Sequence, residues 1–191
     1  PRRAGALYAA ALSSSQLRDA QGARAAARQL EALARTGPDA HRLVRLLQAD
    51  IELAAGDAAA ALAALPAVAM DTTATARPEL VVRTQALLRL SRSGEGTAAL
   101  QTWVATHPRD ATVWQLLASS WQAQGQPLRA VRAEAEAHAA RYDYAAAVDR
   151  FKAGQDLARR GGPQVDHIEA SIIDTRLKAV ESLLREQAAE R

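Results

Sequence analysis

Four histidines, His41, His107, His138 and His167, are the side chains of this 191-residue chain best suited to metal or proton chemistry. Zinc hydrolases carry H-E-x-x-H on one helix, because a four-residue step puts two imidazoles on one face with a carboxylate between them. No histidine here has a second histidine four residues away, and "DHIEAS" offers only one histidine and a glutamate. Each therefore reads as a surface or helix-end residue, and no metal site is expected. "SGEGTAAL" is too poor in glycine for a dinucleotide loop, and neither a P-loop nor a G-x-S-x-G elbow occurs. Asp143 and Asp149 flank a helix start, where turn formation and solvation account for them. With no cysteine, disulfide and thiol chemistry are excluded and the compartment is left open. No catalytic residue is assigned.

Composition asks for a scaffold of helices. Hydrophobic residues make up 49%, largely alanine and leucine, and only seven residues are aromatic. Alanine and leucine favour helix, whereas strands draw on β-branched and aromatic side chains. The expected class is all-α. No apolar run approaches the ~18 residues of a membrane span. The net charge is +3, carried almost wholly by arginine, since Lys152 and Lys178 are the only lysines. The arginines alternate with acids (Arg18-Asp19, Arg109-Asp110, Asp149-Arg150), as on solvated helix faces, so nucleic acid is not an expected partner.

The aromatic residues disclose a register. Trp114, Leu117, Ala118 and Trp121 follow the i, i+3, i+4, i+7 rule and share one helix face. Gly125 stops that helix, Pro127 suits the first turn of the next, and Ala130 returns against the first helix. Large, leucine, small, aromatic and small at these offsets is the tetratricopeptide pattern, a helix hairpin repeating about every 34 residues. Both rings are expected to be buried. One period earlier, Leu80, Thr84, Leu87, Leu100 and Trp103 fit the same register.

The chain is then expected to be a tetratricopeptide solenoid of antiparallel helix pairs over residues 1–162, with units near 4–37, 39–69, 77–108, 111–140 and 128–160. The last two overlap: Ala147, Phe151 and Gly154 belong to a repeat whose first helix, from Leu128, already closes the Trp114 unit. Asp39 is a candidate N-cap, and Met70–Arg77 reads as the longest loop. Residues 163–191 form a capping helix with two apolar stripes, Ile168, Ile172, Thr175, Ala179 and Leu183 beside Ile173, Leu177, Val180 and Leu184. An uncapped solenoid end exposes its core, so this wide face should be covered by the last repeats.

In that register a groove is lined by Gln85, Leu88 and Arg89, then Gln115, Ser119 and Gln122, then Arg129, Arg132 and Glu136. Amide and guanidinium donors beside a few apolar groups suit an extended peptide or a partner's loop; a solvated face without ligand is the alternative. A carboxylate clamp of paired asparagines and lysines is excluded, because the chain has no asparagine.

"EAEAHAARYDYAAAVDRFKAGQDLA", followed by "DHIEASIIDTRLKAVESLLRE", resembles the carboxy-terminal end of the BepA-like periplasmic metalloproteases of Gram-negative bacteria. "RPELVVRTQALL" is similar to a middle repeat of that family. The resemblance spans essentially the whole chain and is strongest from Trp114 to Glu186. It implies a non-catalytic interaction domain of a zinc metalloendopeptidase, with signal peptide, protease domain and zinc lying outside these residues, and Pro1 fits a fragment or processed chain. It further implies a periplasmic location, docking on the protease domain, and contact with outer-membrane-protein substrates or their assembly machinery. A general scaffold unrelated to proteolysis is the other reading.

Overall fold

The structure is a computed structural model that describes residues 2–34, 37–66, 76–162 and 165–190. Those residues form ten α-helices and no strand: α1 (Arg2–Gln16), α2 (Ala20–Ala34), α3 (Pro38–Ala54), α4 (Ala58–Ala64), α5 (Arg77–Arg89), α6 (Gly94–Thr106), α7 (Ala111–Ala123), α8 (Pro127–Ala139), α9 (Tyr144–Arg160) and α10 (His167–Ala189). None is long and apolar enough to cross a membrane. The chain falls into two compact units, Pro1–Arg92 and Ser93–Arg191. In the first, each helix packs on the next, and α3 also meets α1 and α5. In the second, consecutive contacts run from α6 to α10, and α8 also meets α10. Contact between neighbours and next-neighbours is the pattern of a helical repeat. The division between the two compact units falls between α5, which packs on α3 and α4, and α6, which packs on α7.

One turn geometry ends five helices. Arg18, Gly56, Ser91, Gly125 and Tyr142 all have positive φ, from 57° to 88°. After each, the next amide donates back five residues: Asp19 to Ser14, Asp57 to Glu52, Arg92 to Leu87, Gln126 to Trp121 and Asp143 to His138, at 2.8 to 3.1 Å. This is the Schellman end, in which a left-handed residue lets the last helical carbonyls be satisfied. Gly125 and Tyr142 bracket α8, which packs on both α7 and α9.

Helix starts are set by aspartate. Asp57, Asp110, Asp143 and Asp166 each accept the backbone amide three residues on and so cap α4, α7, α9 and α10. Asp39 does not cap. Gly37 holds the cap position of α3 and Pro38 the first turn, which moves Asp39 into that turn, where its charge still favours the helix N-terminus. The Met70–Arg77 loop lies, as far as residue 75, outside the described residues.

The two cores differ in their side chains. Between α1, α2 and α3 the buried set is mainly alanine (Ala11, Ala23, Ala26, Ala27, Ala34) with Leu30, Val44, Leu47 and Ile51. A second cluster joins α3, α4 and α5 through Leu53, Ala58, Ala61, Leu65 and Val82. In the second unit Phe151, Ile173 and Val180 are fully enclosed, with Leu128, Leu177 and Val148 around them. Gly154 makes room there: a Cβ on it would stand 3.1 Å from the Ile173 Cδ1. Trp114 and Trp121 are buried, as are Leu117, Ala118 and Ala130.

Only half of the apolar face of α10 is covered. Ile173, Leu177 and Val180 are buried, while Ile168 is 77% exposed and Ile172 and Leu183 are each 37% exposed. The two stripes lie on neighbouring sides of the helix, and α8 and α9 reach only one of them.

Candidate binding face

The nine groove residues separate by burial. Gln85, Arg89, Gln115, Ser119 and Gln122 are exposed, Leu88, Arg129 and Arg132 are half-buried, and Glu136 is buried. Gln85, Leu88 and Arg89 stand on α5 in the first unit; the other six stand on α7 and α8 in the second.

Arg89 is anchored. Its guanidinium donates to the Leu53 carbonyl at the end of α3. Arg83 does the same to the Pro66 carbonyl, and the Arg45 Nε reaches the Ala64 carbonyl at 2.6 Å. Helix C-termini carry unpaired carbonyls and partial negative charge, so arginine is the side chain that seals them. Arg83 is buried, which pulls its guanidinium below the ordinary range against the opposing charge of Glu79.

On α8 the arginines form layers. Arg129 lies over the Trp121 ring at 5.1 Å and donates to Asp166 at 3.1 Å. Arg132 lies over the Trp114 ring at 5.8 Å and pairs with the buried Glu169. Each guanidinium is thus held between an indole face and a carboxylate from α10. Glu136 takes both nitrogens of Arg176 in a forked bridge, 2.6 and 2.7 Å. That hydrogen bond, against the cost of burial, holds the Arg176 guanidinium above its ordinary value. The three α8 residues meet α10 in rising order, so α8 and α10 run parallel. Asp166 sits well placed at the start of α10: the Glu169 amide, then Arg129, hold its carboxyl below the usual range.

Arg129, Arg132 and Glu136, expected as open groove donors and acceptors, are therefore engaged by α10. Both carboxylate oxygens of Glu136 are taken by Arg176. Sequence reasoning missed their partners Asp166, Glu169 and Arg176, although a signal exists. Arg42–Glu79, Arg129–Asp166 and Arg132–Glu169 are all 37 residues apart, one repeat with its turn. Each joins a helix to the first turn of its next-neighbour.

What stays open is the α7 stripe. Gln115, Ser119 and Gln122 lie along one exposed side of that helix. The Ser119 hydroxyl donates to the Gln115 carbonyl at 3.1 Å, and the Gln115 side chain accepts from Arg141. The stripe can still offer amide donors and acceptors to an extended chain. Trp103 stacks on His107 with ring centroids 4.0 Å apart and donates to Asp110 at 2.9 Å, which fixes the turn before α7. His138 lies 3.3 Å from Asp143. Among the described residues no group of three or more histidines and carboxylates is placed to hold a metal ion. In comparisons with known proteins, no family model and no curated protein matches this chain.

Proposed function

We propose that the chain is a tetratricopeptide-type protein-interaction module, and that it forms the non-catalytic part of a BepA-like periplasmic zinc metalloendopeptidase. The observation that carries the first statement is the set of five helix ends closed by one turn geometry, together with the burial of Trp114, Leu117, Ala118, Trp121 and Ala130 in the tetratricopeptide register. The second statement rests on the sequence resemblance of the tail. In this reading zinc and the catalytic glutamate belong to a protease domain outside these residues. The module holds outer-membrane proteins or their assembly machinery, and it presents the exposed Gln115, Ser119 and Gln122 to them.

An unfolded outer-membrane β-barrel protein tests this. The purified chain should retain it without cleaving it, with or without added zinc. The triple change Gln115→Ala, Ser119→Ala and Gln122→Ala should weaken retention, while stability moves by less than about 0.5 kcal/mol per site because the side chains are exposed. Zinc-dependent cleavage by this chain alone overturns the assignment, and retention unaltered by the triple change moves the contact elsewhere. An encoding gene without a signal peptide and H-E-x-x-H upstream leaves the general scaffold reading.

A further inference from the structure

The strongest unexplained surface lies in the first unit. A cleft of about 440 Å³ opens between α1, α2 and α3. Tyr8, Leu33 and Leu43, one from each helix, stand on it 48%, 46% and 64% exposed. Leu12 and Leu46 line it more deeply. Large apolar side chains scattered singly over a surface need no explanation, but three helices directing theirs into one cleft do. One carboxylate, Asp50, borders the cleft. It is open to solvent on one side and walled by apolar groups on the other, and that partial burial holds its carboxyl above the ordinary range.

We propose that this cleft is a docking site for one amphipathic helix of a protein partner, with aliphatic side chains on one face and a lysine or arginine beside them. Shape supplies the helix. Leu43, Leu46 and Asp50 follow i, i+3, i+7 on α3, a run of about 10 Å, and they face Tyr8 and Leu12 of α1. A third helix laid between two others is the common way to fill such a groove, read through anchors at this spacing. Charge supplies the cation: a carboxylate left at the edge of an apolar cleft gains most from a partner that brings the opposite charge as water leaves. General attraction works the other way, because the chain carries +3 overall. A preference for a basic helix therefore has to come from Asp50. The site shares no residue with the α7 stripe, so the two stand or fall separately.

The test uses the full chain and a fluorescein-labelled leucine–lysine amphipathic peptide of about 18 residues, some five helical turns. Binding is read by fluorescence anisotropy at physiological salt. The lysine peptide should bind more tightly than its leucine–glutamate counterpart. Leu43→Glu should weaken it about tenfold, as loss of a central anchor does. Asp50→Asn should weaken it about threefold, in the range of a partly exposed ion pair, and should erase the preference for lysine over glutamate. Gln115→Ala with Ser119→Ala and Gln122→Ala should leave it unchanged. Leu43 is largely exposed, so the variant should keep its helical circular dichroism. Equal or tighter binding of the glutamate peptide overturns the proposal, as does indifference to Leu43→Glu. Equal binding of a lysine peptide broken by a central proline overturns the helical occupant.

Discussion

The first unit is held together by small side chains and by three arginines that end on backbone carbonyls, Arg45, Arg83 and Arg89. It has carboxylate pairs as well, Arg24–Glu52 and Arg42–Glu79. In the second unit the core is built from Phe151, Ile173 and Leu177, and all three arginine pairs joining α8 to α10 end on carboxylates. Alanine lets helices approach closely but removes little apolar area per residue, at roughly 25 cal/mol for each Å². The first unit accordingly keeps an open apolar cleft, while the second encloses Phe151, Ile173 and Val180 completely. A carbonyl accepts a guanidinium alike at any pH; a carboxyl group adds the attraction of opposite charge only while ionised. The difference teaches that similar helix hairpins can be joined by seams of unlike strength and unlike pH response.

Four changes would break or sharpen that comparison. The largest effect is expected from Phe151→Ala, which empties a fully buried position and should cost ~3–5 kcal/mol. Urea unfolding measures it. Hydrogen exchange should show α9 and α10 losing protection first, and equal loss throughout α1–α3 would mean that the units do not differ as described.

A smaller effect concerns acid. Asp166 titrates below its ordinary 3.8 in the folded chain, owing first to the Glu169 amide and then to Arg129. A depressed carboxyl pKa contributes stability that is present above the unfolded value and is lost as pH falls through the folded one. Stability should therefore drop as pH passes below about 3.8, and Asp166→Asn should flatten that part of the curve. Arg89→Met in the first unit, whose acceptor is a carbonyl, should shift the urea midpoint equally at neutral and acid pH. A parallel acid response in both variants would erase the contrast between the seams.

The smallest effect tests the shared turn. Ser91 occupies the left-handed position that glycine fills at Gly56 and Gly125. Relief of its Cβ strain, less the entropy that glycine loses on folding, should make Ser91→Gly stabilising by about 0.5 kcal/mol. A lower melting temperature would show that the Ser91 side chain contributes something the turn geometry does not.

Much of the fold was legible because its signals are local. Asp before a helix, Gly125 after one and Pro127 inside the next each act through atoms a few residues away. The Trp114–Trp121 face needed only helical periodicity to be assigned to the core. The burial of Ala147, Phe151 and Gly154 was legible from the same periodicity. The candidate face was less so. Gln115, Ser119 and Gln122 are exposed where the register puts them. Arg129, Arg132 and Glu136 share their periodicity with exposed residues, and nothing within α8 says that a helix 37 to 40 residues further on supplies their counter-charges.

The sequence by itself determined that the chain is helical, where several helices begin and turn, and that Trp114 and Trp121 belong inside. Those outcomes depend on backbone conformation, capping and apolar area, which are properties of short segments. Only the tertiary structure decided which stripe of α10 is covered, which arginines are consumed by carboxylates, and that Tyr8, Leu33 and Leu43 converge on one cleft beside Asp50. Each depends on which helix lies against which. Exposed and buried positions of an amphipathic helix repeat with the same period, and only a neighbouring helix distinguishes them.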